Sequence, residues 1–448
     1  MSANPSGPNV FVEHSGHALT NLGDVAMLQA AVSRLSARLP GARISVPAAS
    51  AERLARFCPE ASSLPAEGVR ALAGLGYFPG RHRLPRPVAA RLARLESRVR
   101  GRAPEWLDAL ALRRERGEPG SAGGAARILA ALDGASLFVA SGGGYLTDAF
   151  ADKAWSSLTL LRRAQRRGIP TVLVSQGLGP LEEPSLRALA ARVLARADLI
   201  ALRERRVGPP LLARLGVDPS RVMVTGDDAV AAAFAAPRGS GSGLGVNLRS
   251  ATYAGLSGET MEAIGAAMRR LAAELRAPLV PVPIALDESG SDSAAIRRAV
   301  GASRDADSDT ESGPAEADPT DPAGAVARAG RCRIVVTGSY HAAVFALSQG
   351  IPAIGLAKTV YYADKLEGLA DLFGAGAACV RLDRPDWERR LELDVRELWS
   401  GAAERRPALL ASAAEQARLQ EQAYARVARI AGVAEPRSAR AGGAEASA

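Results

Sequence analysis

Leu137-Phe138-Val139-Ala140-Ser141-Gly142-Gly143-Gly144-Tyr145-Leu146-Thr147-Asp148 reads as a short apolar strand running straight into three glycines. Four apolar residues in a row suit a strand covered on both faces, as in a parallel sheet flanked by helices. The glycines remove every Cβ where the chain leaves the strand, which permits close approach of the backbone to a ligand. No Gly-Lys-Ser/Thr follows, so this is not a Walker A loop. Nor is it a GxGxxG turn with an acidic residue closing the next strand.

The same grammar repeats on either side. Short β-branched runs at 9–12, 43–46, 137–140, 171–175, 198–202 and 222–225 alternate with helical patterns such as 25–39 and 185–197. A second series of strands follows at 244–248, 278–284, 333–337, 353–356 and 378–382, with a helical pattern at 261–275. Such alternation predicts an α/β chain of two Rossmann-like domains with parallel sheets. The segment Ala236-Pro237-Arg238-Gly239-Ser240-Gly241-Ser242-Gly243 reads as the linker between them. The expected domains are therefore 1–236 and 244–433. Residues 434–448 read as a small, polar, disordered tail, and 301–322, with seven acids against one Arg, as a mobile acidic loop.

Composition narrows the function. The 448 residues carry a net charge of +9, but 81–117 alone hold eleven Arg against four acids. That segment has no interleaved aromatics and no nucleic-acid module, so it reads as an Arg-rich helical surface rather than a nucleic-acid site. It leaves room for peripheral contact with an anionic membrane surface. No run approaches the roughly 20 apolar residues that a membrane span needs. The start, Met1-Ser2-Ala3-Asn4-Pro5, has neither a basic region nor an apolar core, and the three widely spaced cysteines suggest no disulfide framework. Both predict a cytoplasmic protein. No metal or cofactor is expected, because His14 and His17 stand without acidic partners at ligand spacing.

Polar residues gather where strands end, which is where open α/β sheets bind ligands. Asn21-Leu22-Gly23-Asp24 precedes a helix, with Asp24 as the expected N-cap. Gly142, Gly143, Gly144 and Asp148 follow one strand, and Gln176 and Gly177 the next. Arg203 closes a third, where its fork suits carboxylate or phosphate. Asn247 and Arg249 close the first strand of the second series, and Ser339-Tyr340-His341 lies between a strand and a helix. Of 56 basic residues only Lys153, Lys358 and Lys365 are lysines, and the last two follow the strand at 353–356. Ammonium and guanidinium are not interchangeable in a tight site, so those two are candidate contacts as well.

In this order the motifs resemble the polysaccharide pyruvyl transferases. Asn21–Asp24, the glycine triplet through Asp148, Gln176-Gly177-Leu178-Gly179-Pro180, Arg203, Gly245-Val246-Asn247-Leu248-Arg249, His341, and Gly350-Ile351-Pro352-Ala353-Ile354 with Lys365 carry the resemblance. It implies a GT-B-like fold with the active site in the interdomain cleft. It also implies transfer of pyruvate from phosphoenolpyruvate, as a ketal, onto a sugar or lipid-linked glycan of cell-envelope polysaccharide biosynthesis. His341 is then the acid–base catalyst, Asp148 is a second catalytic residue, and Arg203 and Arg249 clamp the anion. Family members carry Arg two residues before the His, where this chain has Ser339. Lys358 or Lys365 is expected to supply the missing cation. The alternatives are a GT-B-type glycosyltransferase using a nucleotide sugar, and a sugar-binding homologue without catalysis.

Overall fold

The computed structural model describes residues 7–73, 88, 123–237, 241–249, 258–286, 291–301 and 317–432. Apart from Val88, the Arg-rich segment at 81–117 lies outside these residues, as do the tail at 434–448 and most of the acidic segment at 301–322. The end of that acidic segment is ordered: Asp321 accepts a hydrogen bond from the Gly324 backbone N–H and caps the helix Pro322–Gly330.

Two parallel sheets form the frame. The first contains β1 (Asn9–Glu13), β2 (Arg43–Ala48), β3 (Ala61–Pro65), β4 (Leu137–Ala140), β5 (Gly143–Leu146), β6 (Thr171–Leu178), β7 (Leu199–Leu202) and β8 (Val222–Val224). Its order is β3-β2-β1-β4-β6-β7-β8, with β5 paired to β6. The second contains β9 (Gly243–Asn247), β10 (Leu279–Pro281), β11 (Cys332–Thr337), β12 (Ala353–Ala357) and β13 (Ala377–Arg381), in the order β10-β9-β11-β12-β13. Each order reverses once, between β1 and β4 in the first sheet and between β9 and β11 in the second. The crevice beyond the carboxyl ends of the strands at such a reversal is the natural ligand site of this architecture.

Periodicity and β-branching locate nearly all of these strands. The sequence reading gives no strand at β3, whose Ala-Ser-Ser-Leu-Pro is too small and polar to signal one. It also gives none at β5, because the glycine triplet reads as a turn. In the structure Gly143 and Leu146 instead pair with Gln176 and Leu178.

The two halves share their cores. The helix Ala402–Ile430 begins against the second sheet, where Leu409 and Ala413 are buried beside Ala343 and Leu347. It ends against the first sheet, where Tyr424, Val427 and Ala428 pack with Val10, Val12 and Leu28. The helix Ala229–Ala235, which still belongs to the first half by sequence, packs in the second half's cluster. A backbone bridge also joins the halves: Leu22 N–H donates to Ile284 C=O, and Leu286 N–H to Thr20 C=O. Among the described residues no helix is long and apolar enough to cross a membrane.

Candidate functional site

A cavity of about 360 Å³ opens where the two reversal points face each other. The first sheet supplies the loop after β1, the glycines after β4, and Arg203 after β7. The second supplies Arg249 after β9, Ser339-Tyr340-His341 after β11, and Tyr361, Tyr362 and Lys365 from the helix Val360–Phe373.

His341 is the second residue of the helix Tyr340–Ser348 and is buried. Its Nε2 lies 3.7 Å from Asp227 Oδ2 and its Nδ1 lies 4.0 Å from Asp24 Oδ1. Burial alone would raise both carboxyls. For Asp24 the charges of His341, His14, Lys153 and Arg249 prevail, and for Asp227 those of His341 and Arg203 do, so both carboxyls stand below their ordinary value. Asn21, not Asp24, caps the helix Leu22–Arg38, accepting from the backbone N–H of Gly23 and Asp24 at 3.1 and 3.2 Å. The Asp24 carboxylate is thereby left to the cavity, with its side chain 34% accessible.

Arg203 is almost wholly enclosed. Its Nη1 lies 3.5 Å from Asp227 Oδ2, its guanidinium stacks 4.2 Å from the centre of the Tyr340 ring, and its buried Nη2 has no hydrogen-bond partner among the described residues. A Cβ on Gly144 would meet that Nη2 at 2.5 Å, and one on Gly177 would meet Nε at 2.7 Å. The glycines read as ligand contacts thus make room first for an arginine. Lys365 stands beside it, 5.3 Å from the Tyr340 ring centre and 4.9 Å from that of Tyr361, and donates to Tyr361 Oη at 3.3 Å. Burial, with Arg203 close by, pushes the Lys365 ammonium well below its usual pKa.

Eleven of the residues expected from sequence line this cavity: Asn21, Asp24, Gly142, Gly143, Gly144, Arg203, Arg249, Ser339, Tyr340, His341 and Lys365. Gly23 lies directly under the His341 ring. The other five are placed elsewhere. Asp148 accepts from the backbone N–H groups of Glu182 and Glu183, fastening a loop away from the cavity. Gln176 is buried and donates to the carbonyls of Ala140 and Ser141 and to Tyr145 Oη, tying β4 to β6. Gly177 lines only a small adjoining pocket, beside Arg203. Asn247 donates to Val282 C=O and to Asp292, both at 2.9 Å. Lys358 donates to Thr260 at 3.3 Å. The side chains of Asp148, Gln176, Asn247 and Lys358 serve the frame because each meets backbone or side-chain partners before it can reach the cavity.

Other residues joined here gave weaker signals. Asp227 follows β8 in Gly226-Asp227-Asp228, a polar strand end of the kind that marked the other motifs. Phe150, Tyr361 and Tyr362 form an aromatic wall, with Phe150 edge-on to Tyr361 at 5.9 Å and Tyr361 edge-on to Tyr362 at 5.6 Å. His14 and His17 also line the cavity, and His17 does have an acidic partner: its Nε2 lies 3.3 Å from Glu13 Oε1. Burial pushes His14 down to about 4, despite the nearby Asp24. Among the described residues no group of three or more His, Cys, Asp or Glu is placed to hold a metal ion.

The family model for polysaccharide pyruvyl transferases matches residues 21–358. The chain belongs to that family. It is therefore a transferase, and the matched span contains every expected site residue except Lys365. Solved structures with the same GT-B-like fold are distant in sequence. A putative UDP-N-acetylglucosamine 2-epimerase from Listeria monocytogenes superposes with a TM-score of 0.55 at 14% identity, covering 93% of this chain and 94% of that one. The S. aureus MnaA–UDP structure gives 0.53 at 14% identity, covering 96% and 98%. Arabidopsis thaliana UGT89C1 with UDP gives 0.51 at 13% identity, covering 93% and 99%. At such identities the likeness concerns the fold alone. No curated protein matches the chain. Ser339 stands two residues before His341, and Lys365 adds a second cation beside the Tyr340 ring on which Arg203 lies.

Proposed function

We propose that this pyruvyl transferase moves the enolpyruvyl carbon skeleton of phosphoenolpyruvate onto two hydroxyls of a sugar, free or lipid-linked, as a ketal. One observation carries the reading: His341, backed by buried Asp227, opens into the same cavity as Arg203, Arg249 and Lys365. A small polyanion that must be protonated on carbon needs a proton donor ringed by cations. Arg203 Nη2 has no hydrogen-bond partner among the described residues, and a carboxylate or phosphate oxygen would satisfy it. The same anion would restore the proton that burial loosens on Lys365.

His341 donates its proton to C3 while an acceptor oxygen bonds to C2. Phosphate then leaves with the C2–O electron pair as the second hydroxyl closes the ring. Arg203, Arg249 and Lys365 balance the carboxylate and the departing phosphate. The cavity's aromatic wall, Phe150 and Tyr361, suits the apolar face of a sugar ring.

Phosphate release from phosphoenolpyruvate, measured with mixed diol sugars and followed by mass analysis of the product, tests this directly. Because fold neighbours hold UDP, nucleotide sugars form the counter-arm. Transfer from them, with none from phosphoenolpyruvate, would replace this reading by glycosyl transfer.

A further inference from the structure

Two imidazoles, one from each half, front this cavity with a wholly buried carboxylate behind them. His341 with Asp227 is the first. The second is His17, in the loop after β1, with Glu13, the last residue of that strand. Glu13 side-chain accessibility is 1% and that of His17 is 12%. Glu13 Oε1 accepts from Ser157 Oγ at 3.3 Å as well as facing His17 Nε2 at 3.3 Å. Its Oε2 is buried without a hydrogen-bond partner among the described residues.

That arrangement is a poor structural investment. Burying a carboxylate is costly even inside a well-made ion pair, and here one oxygen has no hydrogen-bond partner among the described residues. It is a good catalytic one. A carboxylate on one ring nitrogen fixes the orientation of an imidazole and stabilises the cation formed when the other nitrogen takes a proton. With Nε2 held by Glu13, Nδ1 is the atom left to substrate.

We propose that His17, held by Glu13, is the base that takes the proton from the attacking acceptor hydroxyl. This rests on the reaction proposed above, whose balance calls for two proton carriers. His341 gives a proton to C3 as the acceptor oxygen bonds to C2, and His17 Nδ1 receives the proton of that hydroxyl. The bond between C2 and the bridging oxygen of the phosphate then breaks, with its electron pair leaving on phosphate. The second hydroxyl bonds to C2 and its proton returns to His341, while the proton on His17 passes to phosphate. Both imidazoles end as they began. The acceptor sugar accordingly sits on the first sheet's side, against the loop after β1, and the donor anion against Arg203 and Lys365.

Phosphate release from phosphoenolpyruvate with mixed diol sugars, together with calorimetric binding of phosphoenolpyruvate alone, tests this in the full chain. His17→Gln is expected to lower kcat by about 10²–10⁴-fold while the affinity for phosphoenolpyruvate is retained. Glu13→Gln is expected to lower kcat less, with affinity also retained, because the ring keeps its place but loses its counter-charge. His17→Gly is expected to regain turnover with added imidazole, which a merely structural histidine would not show. Wild-type kcat in His17→Gln, loss of phosphoenolpyruvate binding in that variant, or a glycine variant indifferent to imidazole would each overturn the assignment. A wild-type protein that neither binds nor consumes phosphoenolpyruvate would instead overturn the reaction on which it stands.

Discussion

A Cβ placed on Gly23 would lie 2.0 Å from Cγ of His341, so the imidazole rests on bare backbone at the start of the helix Leu22–Arg38. The glycine comes from the first half of the chain and the histidine from the second. Their contact holds the candidate acid between Asp24 and Asp227. Gly23→Ala must displace the ring from its place between them. Overpacking of this kind costs about 1–3 kcal/mol in stability. The larger expected effect is on kcat, with donor affinity less altered, and steady-state kinetics beside a thermal melt will separate the two.

His341→Ala should lower turnover by about 10²–10⁴-fold. The fold should survive, because among the described residues Nε2 has no hydrogen-bond partner and stands 3.7 Å from Asp227 Oδ2. Retained circular dichroism with full activity would remove His341 from the chemistry.

The cations give a contrast between neighbours. Arg203→Ala should weaken binding of an anionic donor by about 2–5 kcal/mol, since a buried charge contact is truncated. Arg205→Ala should do little, because Arg205 is exposed. Lys365→Arg should raise KM, since three tyrosine rings surround a compact ammonium there. Lys358→Arg should be silent in the same assay.

Two buried groups make opposite contributions to stability as pH changes. His14 is held at about 4, below its ordinary 6.5, first by burial. The unfolded chain binds that proton more readily, so stability is lost as pH falls from 6.5 towards 4. Asp228 is raised from 3.8 to about 6, again first by burial, against the pull of Arg34 and Tyr424. Its contribution is present below 3.8 and is lost as pH rises through about 6. Relative to wild type, His14→Gln should therefore gain stability as pH falls through this range, and Asp228→Asn as it rises. Melting temperatures measured across it decide both signs.

The helix Ala402–Ile430 presents Gln416, Gln420 and Tyr424, spaced by four, to the Gly226-Asp227-Asp228 turn. Gln420 donates to Asp227 C=O at 2.6 Å, and Tyr424 donates to Asp228 Oδ2 at 2.7 Å. Tyr424→Phe leaves a buried carboxylate short of a donor, at a cost of about 1–3 kcal/mol. It should also lower kcat, because Asp227 sits on the same turn and faces His341.

Much of this was legible from strand ends alone. Arg203, His341 and the Gly142–Gly144 triplet each follow an apolar run, and parallel sheets bring such ends to one edge. Asp148, Gln176, Asn247 and Lys358 share that sequence position yet bond to the frame. Strand position fixes where a residue emerges but not which partner its side chain meets first. Asp227 follows β8 in the same way without a motif to mark it, and the partner of His17, Glu13, four residues away, shows only in the folded chain. The partnership of Gly23 with His341 joins residues over three hundred positions apart, and no local pattern carries it.

The crossing helix has a consequence for anyone dividing the chain. Its first turns are core to the second sheet and its last turns are core to the first, so the apparent linker at 236–243 is a poor place to cut. A fragment ending there would bare Val10, Val12 and Leu28, which Tyr424, Val427 and Ala428 now cover. Residues 402–432 supplied as a separate peptide should bind that fragment and restore its solubility, whereas a peptide lacking Tyr424 and Val427 should not. The two halves are adjacent in sequence as a pair, but in packing they are laced together by the last helix of the described chain.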